Sequence, residues 1–481
     1  MLSYNKVDQI RIETLGCRLN QIESESAAKF FIDKGFSVSM KSTTSAETEN
    51  SSLLLFILNT CAVTQKAEQK SRRIIRLAIK KFPKACIIVT GCYAQLNPKE
   101  ISDLDKRVCV IGGQIKSRIA SIPSLLKTYL EKKEWNAEDF VSLISNQITL
   151  IPQTKKDFPE ESFKFATTSF ISHSRASLKI QDGCNSNCSY CTIHIARGHS
   201  VSIDVETAIS RVQELEKAGQ SEVVITSVNI GQYKSIYQGE TINFSKLLKI
   251  LLDSTKTIMF RISSLYPEVV NDEFCQIIKN PRVCPHFHIS VQSGSDKILK
   301  LMNRAYLSDV VLQACEKLKL AKDKPFLACD IITGFPGETE DDFAQTMSLV
   351  KKCGFTWIHA FPFSERPGTL AVTLKNKVPQ SISGERVKEI MNYAIQSKID
   401  YVSSFIGKEL DAVFETVKRP AVFNSNTNQF LYHAVTQNFI HCEISADLGE
   451  LQNKTHKIKL IKVLSDKIIK GGEIEALAEL V

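Results

Sequence analysis

The stretch Cys184-Asn185-Ser186-Asn187-Cys188-Ser189-Tyr190-Cys191 constrains this chain more than any other. Three thiols spaced C-x3-C-x2-C, with an aromatic residue before the last, supply three soft ligands. Zinc sites ask for paired C-x2-C units and four ligands, which this loop lacks. A 4Fe-4S cube has four irons, so three thiolates leave one iron open to a chelating ligand. The strand-like run Ala176 to Ile180 leads directly into the loop. The fold must therefore deliver these thiols at a strand end.

A second set of cysteines is dispersed. Cys17 sits in Thr14-Leu15-Gly16-Cys17-Arg18-Leu19-Asn20-Gln21, Cys61 in Asn59-Thr60-Cys61-Ala62-Val63-Thr64, and Cys92 in Thr90-Gly91-Cys92-Tyr93-Ala94-Gln95. Each comes just after a short β-prone run: Ile12 to Leu15, Leu53 to Leu58, and Cys86 to Thr90. Helix-like segments follow, such as Gln65 to Lys81. Strand, loop and helix in repetition predict a parallel α/β sheet with right-handed crossovers. Loops at the carboxyl ends of its strands converge on one edge. The spacing alone leaves two readings open: three buried strand-end thiols, or a second cluster with an open iron.

The flanking residues bear on that choice. With the two cysteine sets, the chain carries Gln181-Asp182-Gly183, Ala196-Arg197-Gly198, Ser263-Ser264-Leu265 and His286-Phe287-His288-Ile289-Ser290-Val291-Gln292-Ser293-Gly294. Met302-Asn303-Arg304-Ala305-Tyr306 and Asp330-Ile331-Ile332-Thr333-Gly334-Phe335-Pro336-Gly337-Glu338 follow in the same order. Together they resemble the radical SAM methylthiotransferases along nearly the whole chain. The resemblance implies two 4Fe-4S clusters and S-adenosylmethionine as cofactors. Cys184, Cys188 and Cys191 would hold the cluster that cleaves S-adenosylmethionine to a 5′-deoxyadenosyl radical, and Cys17, Cys61 and Cys92 the cluster that carries the sulfur. It further implies cofactor contacts at Tyr190, Ser227, Asn229, Ser263, Gln292 and Asp330, although Ser and Asn at loop positions serve equally as turn residues. His286 and His288 alternate on an expected inner strand, as ligand-facing or as core histidines. Arg304 has an anion or a surface partner as its expected contact. His194, His199, Val201 and Ser227 depart from the family pattern beside the cofactor loop.

At 481 residues with 43% hydrophobic content, the chain has ample material for several domains. No stretch approaches a membrane span, and Met1 to Ile10 lacks the apolar segment of a signal peptide. Fourteen cysteines in such a chain argue for metal ligation in a reducing cytoplasm, not a disulfide framework. Eight of them, Cys86, Cys109, Cys275, Cys284, Cys315, Cys329, Cys353 and Cys442, fall mostly in apolar-periodic runs and read as core thiols. A formal charge of +9 is compatible with a polyanionic partner.

The expected architecture is α/β. An amino-terminal parallel cluster domain covers 8–126, a charged connector with Pro152 and Pro159 covers 127–169, and a partial β/α barrel covers 170–402. Alternating strands (Glu222 to Thr226, Met259 to Ser263, His286 to Val291, Phe326 to Thr333, Trp357 to Phe363) and helices support the barrel. Short alternating runs after Ser403 predict a small antiparallel β-barrel over 403–472. That region is similar to the RNA-binding TRAM domain, with Lys457, Lys459 and Lys462 among apolar residues.

Within the family, the passages after Cys17 and Cys61 look most like the subfamily that methylthiolates C2 of N6-threonylcarbamoyladenosine beside the tRNA anticodon. The isopentenyladenosine subfamily has a Met-Asn-containing first motif, and the subfamily acting on a ribosomal protein a Pro-Lys-Asn version. The partners implied are tRNA, a sulfur donor and an electron donor such as flavodoxin or ferredoxin. A contrasting class is a non-enzymatic iron–sulfur sensor that binds RNA, which would not cleave S-adenosylmethionine on reduction.

Overall fold

The computed structural model describes residues 9–149, 162–165, 167, 170, 175–420, 429–447, 451 and 454–481. The first domain is a parallel sheet whose strands lie in the order Val38–Ser39, Ile10–Thr14, Leu55–Thr60, Cys86–Gly91 and Val108–Val110. Side-chain alternation splits its core between two faces. Leu55, Ile57 and Ile88 pack on one side with Phe31 from the Arg18–Asp33 helix; Phe56, Leu58 and Val89 pack on the other with Ile74 and Ile75 from the Gln65–Lys81 helix.

The segment 127–169 differs from the expected irregular connector. Helices Ile122–Lys132 and Ala137–Ile144 continue the first domain, and Tyr129, Phe140 and Ile144 join its core. Their charge density conceals apolar residues that recur at helical spacing and meet one buried face. Pro152 and Pro159 lie outside the described residues.

The second domain holds the expected parallel strands in two sheets. Ala176–Lys179, Glu222–Thr226 and Met259–Ile262 form one; Ser264–Leu265, His286–Gln292, Phe326–Thr333 and Trp357–Pro362 form the other. Helices such as Val205–Lys217, Ser308–Ala321 and Glu340–Cys353 pack on the outward residues of these strands. The alternation decides what remains inside. Phe260, Ile262, Phe287, Ile289, Val291, Leu327, Cys329 and Ile358 join the outer core. Arg261, His286, His288, Ala328, Trp357 and His359 face an interior cavity instead.

The helix Gln380–Ser403 leads into a closed barrel of strands Glu409–Pro420, Gln429–Thr436, His441–Asp447, Ala476–Leu480 and Thr455–Val463. The barrel therefore passes the expected boundary at 472. Its last strand is Ala-Leu-Ala-Glu-Leu, rich in helix formers, and becomes a strand because neighbours on both sides pair with it. The eight cysteines outside the two sets are all buried, as core thiols should be. Among the described residues no helix is long and apolar enough to cross a membrane.

Candidate functional site: two thiol sets around an interdomain cavity

Cys17, Cys61 and Cys92 each follow the carboxyl end of one of three adjacent parallel strands. Cys17 caps the Arg18–Asp33 helix, and Cys92 opens the short Cys92–Leu96 helix. The three loops are stitched together. Asn20 Nδ2 donates to the carbonyls of Leu15 and Thr60, at 2.7 and 3.0 Å. Thr60 Oγ1 donates to the Thr90 carbonyl and accepts from Ala94 N–H at 3.2 Å. Backbones approach so closely that glycine is required before two of the thiols. A Cβ on Gly91, where φ is +93°, would lie 2.4 Å from the Thr60 carbonyl oxygen. One on Gly16, at φ +102°, would lie 2.7 Å from Cys61 Cβ.

Cys61 and Cys92 are buried and Cys17 is exposed. Burial pushes the Cys61 thiol up to about 11, with Cys92 and Cys17 adding to the effect. Burial also raises Cys92, against the cations Arg197 and Lys116. The three thiols thus share one electrostatic environment.

In the core loop, backbone N–H groups of Ser186 and Ile193 donate to Cys184 Sγ and Cys191 Sγ, each at 3.4 Å. Arg304 Nη1 donates to Cys188 Sγ at 3.2 Å. Burial drives Cys191 up to about 12, reinforced by Cys188 and Cys184. Among the described residues, Arg304 forms no ion pair with a carboxylate. Its guanidinium lies over the Tyr266 and Tyr306 rings, 4.9 and 4.7 Å from their centroids, and donates to both the thiol loop and Tyr306.

The donor sets fit an iron–sulfur cube better than a mononuclear metal. Among the described residues, no three His, Cys, Asp or Glu are arranged to hold a single metal ion directly between them. Each set offers three thiols, and the core set adds hydrogen bonds to sulfur, a recognised control on cluster potential.

A buried ion network joins the sets. The helix Ile193–Arg197, which follows Cys191, packs against the helix that Cys92 opens. Its Arg197 donates to Asp182 at 2.9 Å, Glu23 at 3.2 Å and Asn20 at 2.7 Å. Glu23 also meets Lys116 at 2.6 Å and Lys179 at 3.3 Å. Burial alone would raise the Glu23 carboxyl, but Lys116, Arg197 and Lys179 hold it well below the usual carboxylate range. Glu23 and Asn20 belong to the first domain and Asp182 and Lys179 to the second, so the network fixes one thiol set relative to the other.

A cavity of about 600 Å³ opens between all three domains. Cys17, Arg18 and Val63 line it from the first, Ser227, Ser263, His288 and Trp357 from the second, and Phe439, His441 and Glu475 from the barrel. Ser227 Oγ and Ser263 Oγ are buried in its wall with no hydrogen-bond partner. Asp330 accepts from His288 Nε2 at 2.9 Å, and the His288 ring stacks on His359 at 5.3 Å. The His286 ring lies tilted against Phe439, centroids 4.1 Å apart, and burial lowers it well below the usual histidine range. Arg18 enters this wall, and burial beside Arg175 pushes it down to about 10.

The other expected contacts lie elsewhere. Asn229 lines a second cavity, about 540 Å³, with Cys188 and Arg304. Its Oδ1 accepts from Gly231 N–H at 3.1 Å, so it serves partly as a turn residue. Gln292 sits at a bulge with φ +71°, and Tyr190 packs edge-on against Phe335; neither lines the two large cavities. His194 and Val201 fall beside the thiol loop, Val201 paired with Asp182. Sequence reasoning missed Arg18, Glu23 and Arg197 as site residues, although each stands within the cysteine motifs or their flanks.

At the barrel side, Arg261 makes two 2.7 Å hydrogen bonds to Glu222 and donates to the carbonyls of Thr436 and Gln437, at 3.2 and 3.1 Å. Arg175 adds ion pairs to Glu222 at 3.7 Å and Glu415 at 3.3 Å. These contacts dock the barrel on the core.

Comparison with known proteins agrees with this arrangement. Residues 178–350 match the radical SAM superfamily, and residues 9–113 match the uncharacterized protein family UPF0004. Threonylcarbamoyladenosine tRNA methylthiotransferase MtaB of Treponema pallidum is 43% identical over 446 residues, covering 84% of this chain and 91% of that protein. The protein of the same name from Bacillus subtilis is 31% identical over 460 residues, covering 94% of each. A tRNA-2-methylthio-N(6)-dimethylallyladenosine synthase from Endomicrobium trichonymphae is 30% identical over 460 residues, covering 92% of this chain and 99% of that protein. Thiol sets, domain order and these relatives converge: the chain belongs to the radical SAM methylthiotransferases, enzymes of 4Fe-4S clusters and S-adenosylmethionine.

Proposed function

We propose that this enzyme methylthiolates C2 of N6-threonylcarbamoyladenosine next to the anticodon of tRNA. The observation that carries the reading is the single cavity bordered by Cys17, by the orphaned hydroxyls of Ser227 and Ser263, and by the terminal barrel. Relatives named for the threonylcarbamoyl substrate support it. In this reading Cys184, Cys188 and Cys191 hold one cluster and Cys17, Cys61 and Cys92 the other. When bound, these groups supply one-electron cleavage of S-adenosylmethionine and the sulfur that is transferred.

The chain's own residues bind and orient. C2 of adenine is not acidic and bears no leaving group, so no side chain here can functionalise it by proton transfer. Ser227 and Ser263 offer unused hydroxyls to the polar end of S-adenosylmethionine. Trp357, His288 and His359 offer flat faces to a purine extruded from the anticodon loop, where an unpaired base leaves its stack at low cost. Arg304 and two backbone amides donate to the core thiols. The outward lysines Lys457 and Lys459 on the Thr455–Val463 strand offer phosphate contacts. An electron donor such as flavodoxin or ferredoxin and a sulfur donor complete the reaction.

The test is to offer the reconstituted enzyme matched tRNAs bearing threonylcarbamoyl, isopentenyl or unmodified adenosine, and to measure methylthio nucleosides by mass spectrometry. Preference for the isopentenyl substrate, or activity on a ribosomal protein alone, overturns the substrate reading. Absence of S-adenosylmethionine cleavage on reduction favours a sensor instead.

A further inference from the structure

We propose that Arg18 is the residue that reads the carboxylate of the threonylcarbamoyl group, and so sets substrate choice. This rests on the substrate reading above. The cavity wall contains Arg18, Arg197, Arg261 and Lys398 as its cations. Three of them are committed. Arg197 is held by Glu23, Asp182 and Asn20, Arg261 by Glu222 and two barrel carbonyls, and Lys398 by Glu475. Arg18 alone among these described residues has neither a hydrogen bond nor an ion pair.

The carboxylates that influence it are already engaged elsewhere: Glu222 and Glu415 hold Arg261 and Arg175. A guanidinium withdrawn from water without a partner is costly, and an arriving carboxylate supplies both charge and paired acceptors. The local fold offers no stability reason for a cation here. Arg18 is the first residue of a 16-residue helix, where the backbone dipole disfavours positive charge and favours an anion. Its position also suits the substrate. It follows Cys17 directly, so a carboxylate on Arg18 places the adenine to which it is attached beside that thiol loop, within the aromatic wall. A cavity of about 600 Å³ is in the ordinary range for a bound small-molecule group of this kind. An isopentenyl chain would leave Arg18 unpaired.

The experiment uses the enzyme reconstituted with its clusters and anticodon stem-loops carrying threonylcarbamoyladenosine, its methyl ester, isopentenyladenosine or unmodified adenosine. Affinity is read by fluorescence anisotropy, and KM and kcat by nucleoside mass spectrometry. The parent enzyme should bind the acid about 10- to 100-fold more tightly than the ester, the range of a charge-assisted bidentate contact. Arg18→Gln should lose that preference by weakening the acid alone, with iron content and S-adenosylmethionine affinity unchanged. Arg18→Lys should restore part of it. Equal binding of acid and ester by the parent enzyme overturns the proposal without any variant. An Arg18→Gln enzyme that weakens all stem-loops equally indicates a phosphate contact, and one that weakens S-adenosylmethionine a cofactor contact; either overturns it too. If the parent enzyme modifies isopentenyladenosine and not threonylcarbamoyladenosine, the substrate reading falls with it. Activity on the acid with unchanged discrimination in Arg18→Gln refutes the Arg18 proposal alone.

Discussion

Replacing Arg197 with Met should uncouple the two thiol sets while leaving each intact. Arg197 makes three hydrogen bonds: those to Glu23 and Asn20 cross the junction of the first two domains, and the third goes to Asp182 in its own domain. Removing one partner from a buried ionic network typically costs about 3–5 kcal/mol. Here the lower end applies, because Glu23 keeps Lys116 at 2.6 Å and Lys179 at 3.3 Å. Asp182 keeps Lys179 and the Gly183 amide. A loss of about 3 kcal/mol raises the population of the locally opened junction about 100-fold. Amide hydrogen exchange reads this directly: amides in the first turns of the Arg18–Asp33 helix should exchange about 100-fold faster, while those of the distant Ser308–Ala321 helix should not change. The functional readout is a split. S-adenosylmethionine cleavage should persist, because the core loop is held by Arg304, Leu301 and Met302 rather than by Arg197. Methylthio product should fall, because Cys17 and its neighbours no longer hold their place against the core. Parent-like exchange at the junction, or equal loss of cleavage and product, would refute this account.

Three further outcomes follow from the geometry. Changing Cys184, Cys188 and Cys191 together to Ala should remove about half the iron and all 5′-deoxyadenosine formation, whereas changing Cys17, Cys61 and Cys92 should preserve cleavage and abolish methylthio product; full iron loading in the first variant counts against the ligand assignment. Burial would raise the Glu222 carboxyl, but Arg261 and Arg175 hold it at about 2, so its contribution is present above the ordinary glutamate pKa and is lost as pH falls toward about 2; it amounts to about 3 kcal/mol, and Glu222→Gln should flatten the acid limb of an unfolding-versus-pH curve. Changing Lys457, Lys459 and Lys462 to Ala should weaken tRNA binding and flatten the slope of log affinity against log salt by about 2 to 3, read from binding titrations at several KCl concentrations; an unchanged slope reduces that strand to a structural element.

The sequence by itself determined the chemistry and the order of the parts. Thiol spacing, glycine before cysteine and short β-prone runs are local features, and each acts through its own few residues. Strand alternation was legible for the same reason: the period of two along His286–Gln292 already separates Phe287, Ile289 and Val291 from His286 and His288. Less legible were elements whose state depends on distant partners. Ala476–Leu480 has a helix-forming composition and is a strand only because both flanking strands accept it. Helices Ile122–Lys132 and Ala137–Ile144 look like a charged connector until their apolar faces meet the first sheet. The site followed the same division. Six cysteines were visible in the chain, but only the tertiary structure decided that Arg304 donates to Cys188, that Arg197 joins Glu23 to Asp182, and that Arg18 enters a shared cavity unpaired. Whether a charge is paired depends on which groups the fold brings within a few ångströms, and Arg18, Glu222 and Glu415 come within electrostatic range of one another only where three domains join.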